Sequence, residues 1–193
     1  MDLLSLVKKS RSYRRFDEEY FVEPELLRGL IQLARYSPTG NNQQPLKYWL
    51  SNSPEINAKI FPHLAWAGSL KDWHGPQEGE RPTAYVIILG DTEIKSSFGV
   101  DYGIAAQSIM LGAAELGLGG CMIASVQRQA LREVLGIQEQ YEILLVLALG
   151  KPAETVVMEP IEVSGGVRYY RDADGVHHVP KHSLEDLIVR DVS

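Results

Sequence analysis

The chain has 193 residues, enough for one domain with a substantial buried core. Its composition, 45% hydrophobic and 23% charged, is that of a soluble globular protein, and a net charge of -6 with a pI near 5.4 argues against a nucleic-acid or anionic-membrane partner. The single cysteine, Cys121, excludes an internal disulfide and a Cys-rich metal cluster, which suits a reducing cytoplasm.

At the N-terminus, Leu3, Leu4, Leu6 and Val7 predict a short amphipathic helix, followed by the basic run Lys8, Lys9, Arg11, Arg14 and Arg15. A secretory signal has the opposite order, and no apolar run approaches the roughly 20 residues that cross a bilayer. A cytoplasmic protein without membrane segments is expected. Pro24 suits a first helical turn, and Leu26, Leu27, Leu30, Ile31 and Ala34 recur at helical spacing until Tyr36-Ser37, before Pro38. A polar loop, Ser37-Pro-Thr-Gly-Asn-Asn-Gln-Gln-Pro45, leads into a strand over Leu46–Leu50.

Residues 51–82 carry too many glycines and prolines for a long element, yet they include Trp66 and Trp73. A buried strand follows over Thr83–Gly90, then a long helix over Ile94–Leu116, rich in small residues and stopped by Gly117. Gly120–Ala124 is a short strand, Arg128–Leu135 a helix ended by Gly136, and Tyr141–Leu149 the strongest strand. The tail alternates aromatics and charges around a turn at Asp172–Gly175, and His182–Val189 can form a last short helix. Four strands among five or six helices predict one α+β domain over residues 1–193.

Three segments can carry chemistry. Arg11, Ser12 and Arg14 offer guanidinium forks and a hydroxyl suited to a phosphate, although a solvated basic face explains them equally well. Asn41, Asn42, Gln43 and Gln44 supply donors and acceptors for the edge of a flat heterocycle, with a polar surface loop as the alternative. The glycines of Glu115-Leu-Gly-Leu-Gly-Gly-Cys121 follow a helix and precede a strand, the reverse of a dinucleotide fingerprint. No hydrolase elbow, Walker loop or zinc motif occurs, and Pro180 separates His178 from His182, so no metal site is expected.

Together these segments resemble the nitroreductase family of flavoproteins. Arg11-Ser-Tyr-Arg-Arg-Phe16 is similar to its R-S-x-R-x-F element, and Ser37–Pro45 to its A-P-S-x-x-N-x-Q-P-W loop. Asp101–Gln107 through Gly117–Cys121 resembles its central helix and following strand, and Val179-Pro-Lys181 sits where it has a C-terminal cation. The resemblance implies a mainly antiparallel sheet flanked by helices, in a homodimer with FMN at shared active sites. It implies that Arg11, Ser12 and Lys181 hold the phosphate, with Arg14 near the ribityl chain and pyrimidine edge. Pro38, Thr39, Gly40 and Asn42 would come from the partner subunit, with Gln44 supporting their loop. Ile123, Ala124 and Ser125 would pass the N5 side of the flavin.

The activity implied is ping-pong electron transfer from NADH or NADPH to a small flat acceptor, nitroaromatic or quinone-like. The flavin carries the chemistry, so no side-chain base is required, and Arg14 is the electrostatic stabiliser. A reductive dehalogenase, a flavin-remodelling enzyme and a non-catalytic flavin store or sensor are the alternatives. The chain departs from the family pattern at Ser10, Leu46 and Ser125, where arginine, tryptophan and glycine are usual. The insert at about 63–80 is expected either to close as a lid, with Trp66 and Trp73 over the flavin face, or to pack on the Leu46–Leu50 strand.

Overall fold

Caps and breakers divide the chain much as the pattern predicts. The structure is a computed structural model that describes residues 1–192. The Asp2 carboxylate caps α1 (Leu3–Lys9) by accepting from the Ser5 N–H. After β1 (Phe16–Asp17), α2 (Pro24–Arg35) starts on its proline and buries Leu27, Leu30 and Ala34 along one face. β2 (Leu46–Ser51) leads to α3 (Pro54–Ile60), a short helix of 7 residues in the stretch where breakers exclude a long element. Ser53 caps it and Pro54 occupies its first turn.

β3 (Ala84–Asp91) is buried at every position, as its apolar run requires. The helix expected from Ile94 begins later: α4 spans Asp101–Glu115. Residues 92–100 are turns instead, because Phe98 is drawn onto Gly90, where any Cβ would strike its ring, and Gly99 turns the chain at φ 51°. β4 (Gly119–Ile123) and α5 (Arg128–Leu135) follow, the latter ended by Gly136 in the left-handed region. β5 (Tyr141–Pro152) is the longest strand.

The chain forms two compact units. The first contains residues 1–66 and 75–153. Its five-stranded sheet has the order β1-β5-β3-β2, with β4 also paired to β5, and every pairing is antiparallel. On one face Val86, Ile88, Leu145, Leu147 and Leu149 pack against Leu27 and Leu30 of α2 and Ala105, Ala106 and Ile109 of α4. Small residues on α4 let α2 approach closely: a Cβ at Gly112 would collide with Leu33.

The second unit contains residues 67–74 and the chain from Glu154 onward. β6 (Val156–Pro160) precedes the single-turn helix α6 (Ile161–Ser164), then β7 (Tyr170–Arg171) and β8 (His177–Lys181). β8 lies between parallel β6 and antiparallel β7. The expected turn is present, with the Asp172 carboxylate accepting from the Asp174 and Val176 N–H groups. The last helix is shorter than predicted, α7 (Leu184–Leu187), with a capping box between Ser183 and Asp186. Among the described residues no helix is long and apolar enough to cross a membrane.

Candidate functional site

α1 delivers the chain directly to the basic segment. Arg11 Nη2 donates to the Val7 carbonyl at the end of that helix (2.6 Å), and Ser12 forms a parallel bridge with Gly120 of β4. The Tyr13 N–H donates to the Gly120 carbonyl (2.9 Å). Arg14 is only 9% exposed, and its Nη1 donates to the Ser12 carbonyl (3.2 Å). Arg11, Ser12 and Arg14 are thus strapped beside β4, whose exit carries buried Ile123 and exposed Ala124 and Ser125. Two guanidinium groups and an exposed hydroxyl on one short segment are a donor set that fits a phosphate.

The exit of β4 is itself braced. The Ala65 N–H donates to the Ser125 carbonyl (2.9 Å), and Leu64 bridges Val126. Trp66 therefore follows directly after a residue bound to the Ser125 backbone. Its ring is 7% exposed and lies 5.9 Å from Phe61, and its Nε1 is buried without a protein acceptor.

The amide loop is held in an unusual backbone form. Asn41, Asn42 and Gln44 have φ near 50° (52, 54 and 52°), a region that non-glycine residues enter at a cost and that favours Asn. The cost is offset by anchors: the Gly40 N–H donates to buried Asp101 Oδ1 (3.0 Å), and the Ser37 and Ser108 hydroxyls lie 2.7 Å apart. Gln44 is bonded within the loop, its N–H donating to Thr39 Oγ1 (3.3 Å) and its Nε2 to the Asn42 carbonyl (3.3 Å). A cavity of about 460 Å³ opens beside Pro38, Thr39 and Gln44, with Tyr48 and Asp101 in its wall. Burial pushes the Tyr48 hydroxyl up to about 12, so it stays protonated there.

Two of the expected site residues lie in the second unit. Lys181 ends β8 and is exposed. Trp73 lies under the Arg171 guanidinium, 4.4 Å from its ring centre, and Arg171 reaches Glu154 at 2.8 Å. The Ser69 N–H donates to the Tyr169 hydroxyl (3.2 Å). Residues 67–74 are therefore tied to the tail, and the rings of Trp66 and Trp73 lie against Phe61 and Arg171 respectively. The pattern of the sequence also missed Asp101 as an anchor. An acidic residue in the first turn of a helix was its only signal, and that is equally the mark of an ordinary helix start.

The sequence profile described as "Nitroreductase family" matches residues 7–151. A protein from Methanothermobacter thermautotrophicus, provisionally named NADH dehydrogenase/NAD(P)H nitroreductase, is 27% identical over 92% of this chain and 86% of its own. Among solved structures, a nitroreductase family protein from Clostridium novyi NT superposes with a TM-score of 0.67 at 19% identity, covering 96% of this chain and 98% of that one. A protein from Exiguobacterium sibiricum 255-15, provisionally named a nitroreductase and solved in complex with FMN, superposes with a TM-score of 0.68 at 19% identity, covering 85% and 96%.

Proposed function

The chain belongs to the nitroreductase family, and from that premise we propose that it is an FMN-dependent oxidoreductase. It takes electrons from NADH or NADPH and passes them to a small flat acceptor of nitroaromatic or quinone type. The observation that carries this reading is the strapping of Arg11, Ser12 and Arg14 beside Gly120, the strand that leads to Ile123, Ala124 and Ser125. One segment thereby presents phosphate donors, and the strand beside it presents backbone groups for a ring. The names of the Methanothermobacter relative and of the FMN-bound Exiguobacterium structure support the same cofactors.

Bound flavin supplies the two-electron chemistry, and the protein holds and tunes it. Arg11 and Ser12 grip the phosphate, and Lys181 is the proposed further cation. Arg14 is nearly buried, so its charge is less screened by water than a surface arginine's. It stabilises negative charge on the pyrimidine edge of the ring. The loop of Pro38, Thr39, Gly40 and Asn42, supported by Gln44, serves the partner's site in a homodimer. Two observations support that role: the loop is mostly exposed, yet it is fixed by Asp101. The insert carrying Trp66 and Trp73 governs the choice of acceptor.

The visible spectrum and the mass of the released cofactor test the reading first, followed by anaerobic bleaching with NADH and NADPH and recolouring by a quinone. One FMN per chain and turnover are expected. FAD, no flavin after reconstitution, or bleaching without turnover would overturn it. Arg11→Ala should weaken FMN binding by about 1.5–3 kcal/mol, the range for a hydrogen bond to a charged group. A mutant that keeps its flavin through dialysis as well as the parent would place Arg11 outside the site.

A further inference from the structure

Where β4 leaves β5, an arginine bridges the two chains. Their pairing stops at Ile123 and Val146. Just beyond, β5 carries a bulge: Ile88 of β3 pairs with Leu145 and Leu89 with Ile143, which leaves Leu144 as the extra residue. The Arg128 guanidinium sits on that bulge. Its Nε donates to the Ile143 carbonyl (2.8 Å), and its Nη2 donates to the carbonyls of Leu144 (3.4 Å) and Ala124 (3.2 Å). Arg128 is the first residue of α5, and the positive end of a helix disfavours a cation. Helix formation therefore does not account for an arginine here, whereas the three carbonyl bonds do.

The bond to Ala124 fixes more than a carbonyl. A trans peptide is planar, and its C=O and N–H point in opposite directions. The Ala124 carbonyl points at Arg128, so the Ser125 N–H points away from it. The next peptide is held as well, because the Ser125 carbonyl accepts from the Ala65 N–H (2.9 Å). Ala124 and Ser125 are exposed, and among the described residues no acceptor takes the Ser125 N–H. We propose that Arg128 is a positioning residue, whose grip on the Ala124 carbonyl aims the Ser125 N–H at the ring of the bound flavin. The inference rests on the flavin site proposed above, in which Ala124 and Ser125 pass that ring. A donor fixed in advance stabilises the electron-richer, reduced ring more than the oxidised one, so this N–H raises the flavin's reduction potential. Lysine cannot replace the arginine, because a single ammonium lacks the planar fork that spans the carbonyls of two chain segments.

The test measures the midpoint potential of bound FMN in the full-length protein and in Arg128→Met, Arg128→Lys and Arg132→Met. Arg128→Met keeps the apolar stem and loses the donors, and Arg128→Lys keeps the charge and loses the fork. Arg132 is a matched control, since it also gives three bonds to carbonyls, those of Ile137, Gln138 and Tyr141, at the other end of α5. Both Arg128 variants should bind reduced FMN about tenfold more weakly relative to oxidised FMN, which lowers a two-electron potential by about 30 mV. Arg132→Met should lower the melting temperature and keep the parental potential. In the flavin-free protein, the NMR shift of the Ala124 carbonyl carbon should move in the Arg128 variants and stay fixed in Arg132→Met. If Arg128→Met fails to fold, Arg128→Lys decides alone. A parental potential in either flavin-bound Arg128 variant, an equal drop in Arg132→Met, or an unmoved Ala124 carbonyl would each overturn the proposal while leaving the flavin reading intact. A parent that binds no FMN sinks that reading, and this inference with it.

Discussion

The backbone of Gly120 lies so close to Ala148 that a Cβ on Gly120 would sit 2.5 Å from the Ala148 carbonyl oxygen. On its other side Gly120 bridges Ser12 and accepts from the Tyr13 N–H. The glycine is therefore where the basic segment is pressed onto the sheet, and any side chain must push the two apart. Gly120→Ala should destabilise by about 1–3 kcal/mol, the usual cost of overpacking. It should also lower flavin retention, because Ser12 and Arg14 move with the strand. Urea denaturation and flavin absorbance after dialysis measure the two effects. A stable variant with full flavin would mean that β4 and the basic segment are not coupled.

Asp101 should control the order of the amide loop. It is 4% exposed, with Oδ1 accepting from the Gly40 N–H and Oδ2 3.7 Å from Lys95 Nζ. Asp101→Ala strands the Gly40 N–H at a cost of about 1–3 kcal/mol. It also removes the support that holds Asn41, Asn42 and Gln44 at positive φ. Amide exchange at Gly40–Gln44 should accelerate sharply while that of β3 and β5 stays slow. If the loop keeps its protection, its conformation is intrinsic and Asp101 is not its anchor.

Much of the first unit is legible in the sequence because local signals and burial agree there. Gly136 stops α5 where a left-handed residue is needed, and the apolar runs of β3 and β5 become strands buried against their neighbours. α3 was obscured by Pro62 and Gly68 further on, although Ser53-Pro54-Glu55 is a helix start on capping grounds. The start of α4 is hidden in the sequence because the apolar pattern continues back to Ile94, whereas the packing of Phe98 on Gly90 of the preceding strand has no helical period to announce it. β6 ends in Pro160 and is supported by β8, some twenty residues later in the chain, which no local pattern reveals. Arg11, Ser12 and the amide loop were legible as motifs. Asp101 and Arg128 were not, since each matters through a contact to a distant backbone group.

The second unit should be sensitive to pH through His178. Its Nδ1 lies 2.9 Å from Glu159, its Nε2 3.0 Å from Asp172, and its ring stacks on Tyr170 at 4.7 Å. The hydrogen bond to Asp172, then that to Glu159, raises its pKa above the ordinary 6.5. A group whose folded value is raised contributes fully below its unfolded value and loses that contribution as pH climbs through the folded one. The Asp172 carboxylate is held below 3.8, chiefly by the hydrogen bond from His178, so its own contribution disappears only under strong acid. As pH rises above the ordinary histidine value of 6.5, amide exchange at β7 and β8, corrected for its intrinsic rate, should speed up. His178→Gln should flatten that dependence. An equal slope in the variant would assign it to another group.

The two insert tryptophans should behave differently. Trp66 is 7% exposed against Phe61, and a Cβ on Gly75 would come within 2.8 Å of its ring. Trp66→Ala should therefore cost roughly 3–5 kcal/mol, as core aromatic truncations do. Trp66→Phe keeps most of the apolar bulk and removes the orphaned N–H. It should therefore fold well and cost much less stability than Trp66→Ala. Trp73 is half-buried and held from one side by Arg171, an interaction worth about 0.5–2 kcal/mol. Trp73→Ala should leave FMN content and the melting of the first unit unchanged while altering KM and the preference between quinone and nitroaromatic acceptors. If Trp73→Ala loosens only the tail, seen as faster exchange at Tyr169–Arg171, and leaves every kinetic constant at its parental value, the insert is a structural tie and governs no substrate.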